Sequence, residues 1–240
     1  MVKIKAFRAT DNSVLCEKFI EGHRRILDAI GIKKVTSSSE AWARNSGSFV
    51  ILVESDDEQK FLGGARVQAA DGITPLPLED AAGYMDPKVY DLVKLYMKGG
   101  TGEVCGLWNS MEVSGMGIGS IFLIRAALAL SKQIGLDSMF ALCSPYTTRI
   151  AGNYGFLIEE SVGNAGTFYY PKIDLLATIV LQKDTQNLPN ASALETNRIF
   201  NLLEKPIQIT DEVARKNQIV TIDYNLLIKS ANPGEYKIIV

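Results

Sequence analysis

Apolar and polar positions alternate over residues 2–9, the period of a half-buried strand. Over 12–30 the apolar positions recur at helical spacing until Gly31 stops them. Two apolar runs, 49–54 and 61–68, flank the polar stretch Ser55-Asp56-Asp57-Glu58-Gln59-Lys60 and predict a β-hairpin. Residues 70–82 are rich in Gly and Pro and predict a loop, and Val89, Leu92, Val93 and Tyr96 predict a short helix within 86–98. A strand starting at Glu103 then runs into a glycine turn that opens a helix over 116–133. Arg125 and Lys132 are the only charges facing off that helix, so most of it is expected to be buried. Residues 137–143 form a continuous apolar run of the kind covered on both faces. Ser144-Pro145 supplies an N-cap followed by proline at the first helical position, for a helix ending near Gly155. Residues 166–182 predict one or two strands, with Pro171 at an edge or bend. A polar linker over 185–192 leads to a helix over 193–204 and a strand over 219–224. The expected organisation is an α/β domain over 1–184 and a C-terminal extension over 185–240, packed on the domain or used to form a homodimer.

The glycine turn carries the chemistry. Gly115, Gly117 and Gly119 alternate where the helix should begin. Glycine lets the backbone approach a ligand, and the first N–H groups of a helix lack internal partners at the positive end of its dipole. The expected result is a cradle for a pyrophosphate built from N–H groups of Met116, Gly117, Ile118, Gly119 and Ser120. The spacing is Gly-x-Gly-x-Gly, and the next strand ends in Leu142-Cys143-Ser144. A dinucleotide fold needs Gly-x-Gly-x-x-Gly and an acid at that strand end, so the pattern argues against it.

Composition narrows the partners. At 47% hydrophobic, 22% charged and net charge −2, the chain matches a soluble globular protein without the basic cluster that nucleic acid requires. The alternating start lacks the apolar core of a signal peptide, and charges interrupt the best apolar run. Cys16, Cys105 and Cys143 show no metal or disulfide spacing and read as reduced, buried thiols of a cytoplasmic protein. The single histidine, His23, has no serine elbow to serve and reads as a helix-face residue without a special role.

The order of elements and three motifs resemble the GNAT superfamily of acyl-CoA N-acyltransferases over roughly residues 1–182. Leu107-Trp108-Asn109 is similar to the end of that family's fourth strand. Ser114-Gly115-Met116-Gly117-Ile118-Gly119 is similar to its Arg/Gln-x-x-Gly-x-Gly/Ala loop, which holds the pyrophosphate of coenzyme A. Tyr154-Gly155-Phe156 is similar to the Gly-Phe that ends the next helix. The resemblance implies a mixed, twisted sheet flanked by helices. It also implies transfer of an acyl group, most simply acetyl, from acyl-CoA to a small-molecule amine, without metal. Ser114 departs from the usual Arg or Gln, and Ala151 stands where the family often has a tyrosine acid. An acid role would then pass to Tyr146 or Tyr154, or to water.

Glu103 matches the position of the family's general base, and a carboxylate in a poorly hydrated groove is suited to that work. A solvated residue at the start of a strand is the plain alternative. Strand alternation is expected to place Glu103, Leu107 and Asn109 on one face. Gly106 predicts a bulge that frees backbone N–H groups to polarise a thioester, and Trp108 is expected to face the core. The donor's pantetheine arm is expected between the strand ends at Asn109 and Ser144.

Gly63-Gly64-Ala65-Arg66 and Glu103-Val104-Cys105-Gly106-Leu107 are also similar to the branch containing acyl-homoserine-lactone and long-chain N-acyl amino acid synthases, with Gly106 in place of its arginine. That branch implies a longer acyl donor, including one held by an acyl carrier protein. Arg66 would bind a substrate carboxylate there, with a surface strand arginine as the plainer reading. A fold that keeps the cofactor loop but has lost turnover is the non-enzymatic alternative, motivated by Ser114 and Ala151.

Overall fold

The computed structural model describes residues 1–33, 35–116, 118–214 and 217–236. The expectation for Gly117 lies outside them, and at 119 and 120 only the backbone is described. No helix among the described residues is long and apolar enough to cross a membrane.

The chain forms one mixed sheet of ten strands. β1 (Val2–Arg8), β2 (Ser48–Ser55), β3 (Phe61–Ala69) and β4 (Gly102–Asn109) run antiparallel in turn. β5 (Met139–Cys143) joins β4 in parallel, and β8 (Leu176–Gln182) pairs antiparallel with β5. The short strands β6 (Leu157–Ile158) and β7 (Thr167–Tyr169) pair with β8. At the other end, β10 (Ile219–Asn225) lies parallel to β1 and carries β9 (Ile207–Val213) on its outer edge.

Helices cover both faces. On one face, α1 (Ser13–Ala29) starts where the Asn12 side chain accepts the Leu15 N–H, and its Phe19 packs with Trp42, Trp108, Val50 and Leu52. On the other face lies α4 (Leu123–Ser131), all nine of whose residues are buried. It meets the opposite side chains of the same strands, among them Ile51, Val53, Val67 and Val104. α5 (Pro145–Gly152) begins as expected, with Ser144 Oγ accepting the Thr147 N–H. α6 (Ala193–Glu204) packs on α4.

Several segments differ from the sequence expectation. Residues 77–82 form helix α2 rather than loop, because Glu79 accepts the Leu76 N–H and Leu78, Ala81 and Ala82 are buried. α3 (Lys88–Tyr96) follows it. The helix after the glycine turn begins with a π-helical turn over Ile118–Phe122. β9 was not expected: Ile207, Ile209 and Val213 are exposed, so the strand is ordered by pairing with β10 rather than by a buried apolar stripe.

Candidate active site

β4 and β5 pair at Glu103 and Phe140 and at no later position, so the two parallel strands part toward their C-terminal ends. Gly106 is at φ +59. Cys105 lies opposite Arg66 and Trp108 opposite Gly64, so Gly106 and Leu107 together face the single residue Ala65. This is the bulge that Gly106 predicted. It also overturns the expected alternation. The register puts Glu103, Cys105 and Trp108 on the face covered by α1, and Leu107 packs against the core on the α4 side. Glu103 and Leu107 therefore do not share a face; the extra residue inverts the phase.

A cavity of about 610 Å³ occupies the gap. It is lined from the α1 face by His23, Ser37 and Tyr170, and from the α4 face by Ile124, Ala151 and Phe156. Glu103, Cys105, Leu107, Cys143 and Ser144 form its strand walls. The cavity thus passes through the sheet where the strands separate. The Tyr170 hydroxyl donates to Thr36 Oγ1 and accepts the Thr36 N–H, holding the segment that carries Ser37 over the α1 side.

Glu103 is 2% exposed, and its Oε2 accepts the Leu78 N–H at 2.7 Å. Burial raises its pKa to about 8; the Leu78 N–H and Arg66 oppose the rise, while Glu79 and Asp80 add to it. Cys105 and Cys143 are free, and burial pushes their thiols to about 12 and about 11, so neither is a ready nucleophile.

The Glu103 shift predicts a pH dependence of stability. Between 4.5, the ordinary value, and about 8, the unfolded chain has lost the proton that the folded chain keeps. Folding stability from this group falls as pH rises through that window and is level above it. Glu103→Gln still accepts from Leu78 and removes the slope. The variant is expected to gain on the wild type from pH 4.5 upward, by up to a few kcal/mol at pH 8 given about 1.4 kcal/mol per pKa unit. Urea denaturation of both proteins across pH measures it, and parallel curves would contradict it.

Arg66 is buried, at 1% exposure, and is not the surface arginine of the plainer reading. α1 and Trp42 cover its strand face. It donates to Gln68 Oε1 and to Ser37 O, and its guanidinium carbon lies 4.8 Å above the Trp42 ring. Among the described residues it forms no ion pair, and its Nε has no partner.

The other expected site residues divide. Leu107 and Ser144 line the cavity. Trp108 does not: its ring packs under Gly22, where a Cβ would stand 2.2 Å from Cη2, and it belongs to the core beside Phe19. Asn109 turns its amide to Ser110 O. The Tyr154 hydroxyl donates to Ile121 O, burial raises its pKa, and the ring does not line the cavity. Tyr146 is 54% exposed on α5 and also lies off the cavity. The structure therefore brings neither tyrosine to Glu103. In the glycine loop, Ser114 and Gly115 are exposed, and Gly115 is at φ +84 with nothing within 4 Å of a Cβ. The Met116 N–H donates to Val113 O and so is not a free member of the expected cradle. Ile118 is buried at the start of the π-helical turn.

No family model matches this sequence, and no curated protein does. Solved structures match its fold. FeeM, an N-acyl amino acid synthase from uncultured soil microbes, aligns with a TM-score of 0.58 at 12% identity, covering 82% of this chain and 98% of that one. The CoA-dependent acyl-homoserine lactone synthase BjaI gives 0.52 at 10% identity, covering 94% and 97%. An acyl-CoA N-acyltransferase from Pseudomonas aeruginosa gives 0.50 at 14% identity, covering 76% and 99%. This chain has the GNAT acyltransferase fold. The gap lies where a pantetheine arm was expected from the sequence, and its lining includes Leu107 and Ser144 but not Asn109. The gap is open through the sheet, its walls are mostly apolar, and the exposed turn at Gly115 leaves room beside the helix start.

Sequence reasoning missed His23, Cys105, Cys143 and Tyr170 as parts of the cavity wall. His23 had a signal: it shares the inward stripe of α1 with Cys16 and Phe19, at helical spacing. Tyr170 sits in an irregular segment and had none.

Proposed function

We propose that this protein is an acyl-CoA-dependent N-acyltransferase acting on a small-molecule amine by direct attack. The observation that carries the reading is the cavity through the sheet at the parting of β4 and β5, with Glu103 at its root. The donor, when bound, supplies the acyl group as a thioester and leaves as a thiol. Leu107, Ser144 and the bulged backbone at Gly106 would hold its pantetheine end, and the loop from Ser114 to Ser120 its phosphates. Glu103 takes the amine proton from the α1 side. A carboxyl near pKa 8 is a stronger base than an ordinary one and still ionises within reach of neutral pH. Arg66, buried without a carboxylate partner, supports an acceptor that brings its own carboxylate. Ala151 in the α5 wall carries no acidic group, and water protonates the departing sulfur.

One observation favours an acyl group longer than acetyl. The α4 side of the cavity offers Ile124, Leu107 and Phe156 as an apolar wall for a longer chain. Calorimetric titration with acetyl-, hexanoyl- and dodecanoyl-CoA tests both parts. Affinity is expected to rise with chain length, by up to ~0.8 kcal/mol per buried methylene, until the cavity is full. Ile124→Trp, which adds bulk to the α4 wall of the cavity, should remove the gain from chain length while leaving acetyl-CoA binding within a fewfold. Absence of binding by any of the three would overturn the donor assignment. Tighter binding of acetyl-CoA than of dodecanoyl-CoA would return the reading to acetyl transfer.

A further inference from the structure

His23 is the one histidine of the chain, and the chemistry above does not use it. It lies on the inward stripe of α1 at 6% exposure and lines the cavity from that side. Its ring leans on Phe19, with centroids 6.0 Å apart. Its Cε1 would stand 3.8 Å from a Cβ at Gly106, so the imidazole sits against the bulge. Among the described residues its ring makes no hydrogen bond. A buried polar ring without a protein partner normally has another one, water or a ligand.

The surroundings fix its charge. Burial first, and then the charge of Arg66 from β3, lower its pKa to about 4. Glu103 and Cys105 share that face of β4, and the buried carboxyl of Glu103 holds its own proton to about 8. His23 is thus a neutral imidazole at physiological pH, with one N–H and one lone pair. Among the described residues nothing consumes either.

Resting on the acyltransferase reading above, we propose that His23 positions the acceptor amine. Its unprotonated ring nitrogen accepts one N–H of the amine beside the Gly106 bulge and turns the amine lone pair toward the thioester carbonyl. The C–N bond forms, the C–S bond breaks, the second amine proton goes to Glu103, and the sulfur leaves as thiolate to be protonated by water. His23 keeps its own proton throughout. It is a positioning residue for the nucleophile and not the base.

The single histidine makes the test clean. In full-length protein labelled with ¹⁵N-histidine, every ring signal belongs to His23. The signals are expected to stay in the neutral range down to about pH 5, and to shift when 4-aminobutanoate, an amine that carries a carboxylate, is added to protein saturated with dodecanoyl-CoA. His23→Phe keeps the packing on Phe19 and removes both nitrogens. It is expected to raise the KM for 4-aminobutanoate ~10-fold, the order of one lost hydrogen bond, with the KM for dodecanoyl-CoA unchanged. His23→Asn should recover part of the loss. An active enzyme whose ring signals ignore 4-aminobutanoate overturns the assignment of His23 alone, as does an unchanged acceptor KM in His23→Phe. A shift with 4-aminobutanoate in a protein that transfers no acyl group supports His23 as an amine contact and overturns the acyltransferase reading instead. The labelled wild type gives this answer even if the Phe variant fails to fold.

Discussion

Glu103→Gln is expected to lower the turnover number by roughly 10²–10⁴-fold at neutral pH, the usual cost of removing a general base. Gln keeps the size of the side chain and an oxygen to accept the Leu78 N–H, so the cavity should hold its shape. Acyl-CoA affinity should change little, because the carboxyl lies on the α1 side of the gap, away from Leu107 and Ser144, the residues we propose for the donor. The pH profile separates this role from a structural one. Wild-type turnover should climb with pH as Glu103 ionises and level off above about 8. The Gln variant should lose that limb and retain only what the free amine and water supply. Full turnover in Glu103→Gln across the pH range would remove Glu103 from the mechanism and make unassisted attack the better account.

Why the strand carrying Glu103 was legible while Leu107 was misplaced is a matter of period. The strand ending at Asn109 and the Ser144-Pro145 cap follow from local chemistry, and each stands where local chemistry puts it, while the helix expected to run to 133 ends at Ser131. Gly106 announced a bulge, but the sequence alone does not say that an extra residue there inverts the faces beyond it, and so Leu107 was read onto the wrong side. Arg66 shows a second limit. Alternation marks two faces of a strand without saying what covers each. Only the packing of α1 and Trp42 over β3 turns a strand arginine into a buried cation beside Glu103 and His23. Tyr154 shows a third. A tyrosine next to Gly-Phe is in the right segment, but it stands past the end of α5, bridged to Ala191, and its hydroxyl donates to Ile121 O in the α4 layer rather than facing the gap. The cavity itself is a product of long-range pairing, of β5 with β4 at one position and with β8 along its length, and no local pattern encodes it.

Arg125→Ala is expected to cost about 3–5 kcal/mol of stability, as removal of one partner from a buried ion pair does. Arg125 is fully buried on α4. Its Nε and Nη2 donate to the two carboxylate oxygens of Glu195 on α6, at 2.9 and 3.0 Å. Its Nη1 lies 2.9 Å from Glu212 on β9, which also accepts from Arg198 at 2.7 Å. Burial alone would lower the Arg125 pKa, but Glu195 and Glu212 outweigh it and hold the charge. Taking the guanidinium away leaves two nearly buried carboxylates facing each other across a void. Both carboxylates come from the segment after residue 184, so the loss should fall on the attachment of that segment to the rest of the chain. This is how we propose that 1–184 and 185–240 are joined: the polar linker does not separate them, because one buried cation ties both halves. Urea denaturation should show a single cooperative transition moved to lower urea in Arg125→Ala. Limited proteolysis should cut the variant within 185–192 faster than the wild type. Rapid loss of everything beyond Lys183 from wild-type protein, with the remainder stable, would show that the segment is an appendage and that the buried cluster does not hold it.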